Sequence, residues 1–344
     1  MPAKIKTRSA VSVAKLCLFI LALYVLSVGL LGWLLPLSVC FPEQWETFYW
    51  DRFWMSDKLA HDGFFALCRL FVVQYGVSTW MLAVPLSVIA VLAGALLAWV
   101  LRHLVRPLIS LTLGSLIVLL VILGVYGVFS APSADAGFRT LFCLSGRQQW
   151  TAMTAYAGQH RPKNLLEQNL VNQAWAERGM LPEHVLDHPT KDVNSLFVLK
   201  IGSPYVAAHL SEIYWTMGEV AMSRMYAFEA NEKMNNLSPR MLRRLALTNI
   251  VYGEYAVADK YLRWLEHTLF YRDWAAHYRT FLWNDEAVDA DPLLGSKRRC
   301  IPAENGFPSA QSAVYDLEQM VRQNPGHVTS AQYLQALKII YHVQ

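Results

Sequence analysis

The sequence predicts an all-α protein, with three transmembrane helices followed by a tetratricopeptide-like α-solenoid domain. Three observations predict this. Of the 344 residues, 54% are hydrophobic and 16% charged, which is too apolar for an ordinary soluble domain. Three uncharged runs, 16–39, 70–101 and 107–134, each exceed the roughly 20 residues that an apolar helix needs to cross a bilayer. Downstream, MGEVAMSRMY (217–226) is echoed by YGEYAVADKY (252–261), with Gly, Glu, Ala and Tyr at the same places.

The first 134 residues read as a membrane domain with spans at about 16–39, 77–101 and 107–130. The first run is longer than the apolar region of a signal peptide and lacks a clean small-residue cleavage site, so it reads as a retained helix. LPLSVC before Cys40 fits lipid attachment poorly, because Val39 is too large. Residues 1–134 carry nine Lys/Arg and five Asp/Glu, whereas residues 135–344 carry 21 of each. All of the net charge of +4 therefore lies in the membrane half. Lys4, Lys6, Arg8 and Lys15 precede the first span, and Arg102 and Arg106 separate the second from the third. The positive-inside rule places both groups in the cytoplasm and everything after the third span outside it. The basic balance thus reports topology and bilayer contact, and gives no sign of a nucleic-acid partner.

Between the first two spans, residues 40–76 read as an aromatic interfacial loop. Seven aromatic residues fall between Phe41 and Trp54, and rings with one wet edge favour the headgroup layer. Asp57, Lys58, His61 and Asp62 then cluster. Asp57, His61 and Asp62 are weak catalytic candidates, a general acid and base for a lipid-linked substrate at the membrane face. The plainer reading makes Asp57 a helix cap and the charges solvated. Residues 64–76 are apolar but short, as an oblique or interfacial helix would be.

Residues 135–344 read as a helical-repeat domain after the loop APSADAG (131–137). Aligning Ser203-Pro204 with Ser238-Pro239 gives seven identities over 29 positions. Ser accepts from free first-turn amides and Pro suits the first helical position. Gly218 and Gly253 then close each helix in a left-handed conformation, and Ala221 and Ala256 let the next helix pack close. The unit is a helical hairpin of tetratricopeptide-like length. An earlier, degenerate unit ends at Gly179 (164–179), and a helix near 146–157 pairs with it. Residues 268–283 read as a further helix, 284–308 as a polar loop, and 310–323 and 329–343 as two closing helices, with no strand-like alternation of useful length.

No phosphate-cradling glycine loop, nucleophile elbow or zinc spacing is present, so no cofactor and no metal are expected. His184 and His188 are spaced for one helix face, but Pro189 ends the segment and no third ligand is signalled. Five cysteines show no metal or disulfide spacing, although an oxidising compartment would allow a Cys143–Cys300 bridge.

Several phrases taken together, WDRFWMSDKLAHDGFFALCRLFVVQY, RQQW, LSEIYWTMGEVAMSRMYAFEA, LRRLALTNIVYGEYAVADKYLRWLEHTLFYRDWA and NPGHVTSAQYLQALK, resemble an uncharacterised family of membrane proteins from Bacteroides-like bacteria. The resemblance runs from about Trp50 and implies a bacterial inner-membrane protein with a cytoplasmic N-terminus and a tetratricopeptide-like periplasmic region. Members of that family run longer than this chain, which reads as a short form. The resemblance transfers no catalytic residue.

The expected function is binding of a protein or peptide partner within an envelope complex, as a transient receptor or a permanent structural subunit. The alternative is a membrane enzyme, or its accessory subunit, acting on a lipid-linked or glycan substrate at the 41–69 loop. In stacked hairpins the first helices line the concave face. Counting Gly179, Gly218 and Gly253 as equivalent, the exposed stripe is expected at Asn169, Gln173, Tyr205, Glu212, Trp215, Arg240 and Arg243.

Overall fold

A computed structural model of the chain describes residues 3–101, 135–188, 190–198, 203–234, 236–301 and 313–343, with scattered positions between 114 and 124. Among the described residues every regular element is helical. The chain divides into two compact units, residues 1–42 with 71–133 and residues 43–70 with 134–344.

The first unit is built on α1 (Ala3–Leu34), which packs against the later helix Thr79–Leu101. Lys15–Leu34 and Thr79–Val100 are long and apolar enough to cross a membrane. Leu18, Leu26, Trp33, Leu92 and Leu96 point outward from them. The expected third span, 107–130, falls largely outside the described residues. The described positions there are helical, and Gly114 meets Gly94 so closely that a Cβ on Gly94 would lie 2.7 Å from the Gly114 carbonyl oxygen. Small residues at such a crossing let two helix backbones touch.

In the second unit α2 (Arg52–His61) and α3 (Gly63–Val73) precede the helix just described, α4 (Thr79–Leu101). Asp51, rather than Asp57, caps α2, accepting from Trp54 N at 2.8 Å. Beyond residue 134 come α5 (Ala136–Gly146), α6 (Trp150–Gln159), α7 (Leu165–Glu177) and the single turn α8 (Leu181–His184). Two hairpins follow, α9 (Pro204–Met217) with α10 (Val220–Lys233), and α11 (Pro239–Val251) with α12 (Tyr255–Glu266). The unit ends with α13 (Arg272–Arg279), α14 (Asp285–Ala290), α15 (Leu294–Arg298), α16 (Ala313–Gln323) and α17 (Val328–Val343). The segment read as a loop after residue 284 therefore holds two short helices. Asn284 caps the first by accepting from Ala287 N at 3.0 Å, and Asp291 accepts from Leu294 N at 2.7 Å before the second.

Local chemistry sets the hairpins. Ser203 and Ser238 accept from Val206 N and Met241 N at 3.3 and 3.5 Å. Gly179, Gly218 and Gly253 have φ of 74°, 96° and 74°. Each is followed by the same closing hydrogen bond, Met180 N to Trp175 O at 2.9 Å, Glu219 N to Tyr214 O at 2.8 Å and Glu254 N to Asn249 O at 2.8 Å. This is the closure that a left-handed residue after a helix makes possible, and the degenerate first unit shares it, although the helix that follows, α8, is a single turn. α9 packs on α10, α10 on α11, α11 on α12, and α7 on α9. α17 lies against α7, α8 and α9, burying Leu210, Ile213, Tyr333, Leu337 and Ile340 in one core.

Part of the aromatic segment after the first span packs inside the second unit, while Trp50 and Phe53 stay exposed. Trp45, Phe48, Tyr49 and Trp54 are buried within the second unit. Trp45 stacks on Phe142 and meets Tyr205 edge-on, both at 4.9 Å. Tyr49 donates to Leu237 O at 2.8 Å, and Trp50 N to His267 O at 2.6 Å. A groove between helices supplies the same apolar body and polar edge to such rings as a headgroup layer does, so composition alone does not distinguish the two.

Candidate functional site

The first helices of successive hairpins carry their charges inward. On α11, Arg240 and Arg244 stand one turn apart and both reach Glu212 on α9. Arg240 Nε donates to Glu212 Oε1 at 3.1 Å, and Arg244 Nη2 donates to Oε2. Arg240 also donates to Phe142 O at 2.8 Å and to Ser145 Oγ at 3.2 Å, with its guanidinium carbon 3.7 Å from the Phe142 ring centroid. Burial alone would raise the Glu212 carboxyl. The charges of Arg244 and Arg240 outweigh that and hold it at about 2.

This triad lines a cavity of about 350 Å³ within the second unit. From α7, Gln173 donates to Thr216 Oγ1 at 2.9 Å, and Thr216 donates to Glu177 Oε1 at 3.0 Å. From α15, the buried Lys297 donates to Thr216 O at 3.3 Å and to His327 Nε2 at 2.8 Å. Burial brings the Lys297 ammonium down to about 8 and, with help from the Lys297 charge, takes His327 down to about 3. His327 is therefore a neutral acceptor for Lys297, and its Nδ1 lies 2.5 Å from Ser330 Oγ. Trp150, Trp215, Trp274 and Tyr278 supply aromatic walls, and Arg244 lies 4.3 Å over the Trp215 ring.

Of the seven stripe residues expected from the repeat, five line this cavity, namely Gln173, Glu212, Trp215, Arg240 and Arg243. The expectation that the stripe is exposed fails. Asn169 is 0% exposed and Arg240 is 2% exposed, because α5, α13, α15 and α17 close over the face that an open array would leave free. Asn169 instead donates to Asn194 O at 2.7 Å. Tyr205 remains partly exposed beside Trp45. Arg243 is half-buried, with its guanidinium 4.8 Å over the Tyr271 ring.

The other candidates lie outside this cavity, although Asp57 and His61 meet at 3.2 Å on the surface of α2. Asp57 and His61 are 67% and 75% exposed, and Asp62 pairs with Lys58 at 2.7 Å on the same helix. The His184 ring stacks on Trp175 at 3.7 Å and lies 2.7 Å from Asp187, while His188 falls beyond the end of α8. Among the described residues no three His, Cys, Asp or Glu side chains group as a metal site would require. No disulfide joins Cys143 and Cys300, both of which are buried thiols.

Several site residues carry no local signal. Lys297 and His327 sit in segments that resemble loops, and only packing brings them to Thr216. Arg244 was the more accessible omission, lying one helical turn beyond Arg240 on the same face. Glu43, buried and accepting from the Tyr271 hydroxyl, is pushed up to about 7 by burial.

These features define an all-helical protein with two helices long and apolar enough to cross a membrane and a buried, charged cavity in its larger unit. The chain belongs to a family of unknown function (DUF6057), which matches residues 134–340 and so includes every cavity-lining residue. No curated protein and no solved structure matches it.

Proposed function

We propose that this protein is a membrane-anchored binding protein. In this reading α1, α4 and the 107–130 segment form three spans in a bacterial inner membrane, with the N-terminus cytoplasmic and the second unit periplasmic. The hairpins form a tetratricopeptide-like solenoid that receives a protein or peptide partner as part of an envelope complex. The observation that carries the reading is the convergence of five stripe residues, from three equivalent helices, on one cavity. Its volume suits a side chain or a chain end rather than a whole helix, so the partner inserts a short feature. The outward apolar surfaces of α1 and α4 support the membrane anchorage. The enzymatic alternative at the 41–69 loop is less favoured, because its candidates Asp57, His61 and Asp62 lie on an exposed helix face away from the cavity.

A photoreactive phenylalanine derivative in place of Arg243 tests this in the full-length protein. It should capture a defined partner, while the same group at the exposed Tyr315 should not. Equal capture at both positions, or none at Arg243, would overturn the reading.

A further inference from the structure

The walls of the cavity carry more positive charge than their carboxylates balance. Arg240, Arg243, Arg244 and Lys297 line it against Glu177 and Glu212, leaving two positive charges in surplus. His327 contributes none, since it accepts from Lys297. Glu212 is already committed to Arg240 and Arg244.

The two arginines that reach Glu212 differ. Arg240 has an acceptor at each of its three nitrogens. Arg244 is only 9% exposed, yet its Nε and Nη1 meet no acceptor among the described residues. Arg243 Nε is buried in the same condition. Among the described residues, every buried side-chain nitrogen or oxygen of the lining that lacks a partner is therefore a guanidinium donor. An aromatic cavity that recognised a neutral ligand would leave acceptors as well as donors open. Buried cationic donors are instead matched best by an oxyanion, which accepts charge-assisted hydrogen bonds and offsets the surplus charge.

We propose that the cavity binds a carboxylate or phosphate group of one or two negative charges, held by Arg244 and Lys297 with Arg243 beside them. This rests on the cavity being the recognition site of the proposed function. The remaining volume admits a short body against the rings of Trp150, Trp274 and Tyr278, so the anion is the end of a small organic group. It is carried either by a partner, as a chain terminus or acidic side chain, or by a free small molecule. Both sources present the same chemistry to the site.

Calorimetric titration of the full-length protein in detergent, with inorganic phosphate and with acetate, tests this, using chloride at matched ionic strength as the blank. At least one oxyanion should bind saturably and raise the melting temperature, and chloride should not. Arg244→Gln should weaken binding by at least about tenfold, the factor expected for one charge-assisted hydrogen bond. Lys297→Gln should do the same, and serves if Arg244→Gln does not fold. Absence of saturable binding by both oxyanions, or affinity unchanged in the folded variants, would overturn the proposal. Excess phosphate that abolishes crosslinking from position 243 places the anion on the partner, and crosslinking that persists with phosphate bound identifies a free ligand. Phosphate binding without any crosslinked partner would sink the partner reading alone.

Discussion

Arg240 and Glu212 join two successive hairpins through a buried ion pair, with Nε 3.1 Å from Oε1. The pair has side-chain exposures of 2% and 11%, and Arg244 shares the same carboxylate. One negative charge therefore holds two guanidinium groups away from water. Such a group is stable when complete and costly when broken.

Glu212→Ala should accordingly destabilise the protein by about 3–5 kcal/mol, because it leaves two buried guanidinium groups without their carboxylate. Thermal melting of the purified full chain measures this. Arg243→Ala, which removes a half-buried side chain outside the triad, should shift the melting point far less. Equal losses would mean that Glu212 is not the centre of the charge network.

The glycines separate backbone strain from packing. A Cβ on Gly253 would meet nothing within 4 Å, whereas one on Gly218 would lie 3.1 Å from Cys300 Sγ and 3.2 Å from Ser330 Oγ. Gly253→Ala should cost about 1–2 kcal/mol from left-handed strain alone. Gly218→Ala should cost more, since the same strain is joined by tight contacts. A smaller loss at Gly218 than at Gly253 would contradict this ordering.

Stability should depend on pH in both directions. Glu43 is pushed from 4.5 to about 7 by burial, which outweighs its Tyr271 hydrogen bond and the charges of Arg243, Arg147 and Arg240. A raised folded value means that its contribution is complete below 4.5 and lost as pH rises through 7. His209 and His327 are lowered from 6.5 to about 3, chiefly by burial, so their contribution is lost as pH falls below 6.5. Between about pH 6.5 and 7.5 the fall from Glu43 opposes the last part of the histidine rise, each amounting to under about 1 kcal/mol, so stability should stay nearly flat. Glu43→Gln should turn that flat window into a rise with pH while leaving the acid-side loss intact. A flat window retained in Glu43→Gln would assign the opposing fall to another group.

Anion binding should share the titration of Lys297. As the ammonium is brought down to about 8 by burial, phosphate affinity measured by calorimetry should weaken above that pH. In Lys297→Gln the weakening should disappear. A pH profile identical in the two proteins would remove Lys297 from the site.

Orientation is open to membrane-impermeant thiol labelling, in a background where the exposed Cys17 and Cys68 are replaced by serine. A cysteine at the exposed Glu232 should label in intact spheroplasts, and one at His103 should not. The reverse pattern would invert the topology.

Hairpin boundaries were legible because caps and left-handed glycines act over four or five residues, and the responsible atoms are neighbours in the chain. Ser203, Ser238, Gly218 and Gly253 do what their local chemistry requires. The stripe of first-helix residues was legible for the same reason, since helical periodicity alone aligns Glu212, Trp215, Arg240 and Arg243. Their burial was not legible. It depends on α5, α13, α15 and α17 closing over the stripe, and nothing within one helical turn of Arg240 reports that Phe142, nearly a hundred residues earlier, supplies its acceptor. The aromatic segment at 41–54 shows the same limit, because Trp and Tyr suit a protein groove as well as a bilayer surface. By itself the sequence determined that the chain is helical, where its hairpins turn and which side chains share a face. Only the tertiary structure decided that this face encloses a cavity, and that Lys297 and His327 complete it. Desolvation and charge pairing depend on distances between segments far apart in the chain, and residue order does not contain those distances.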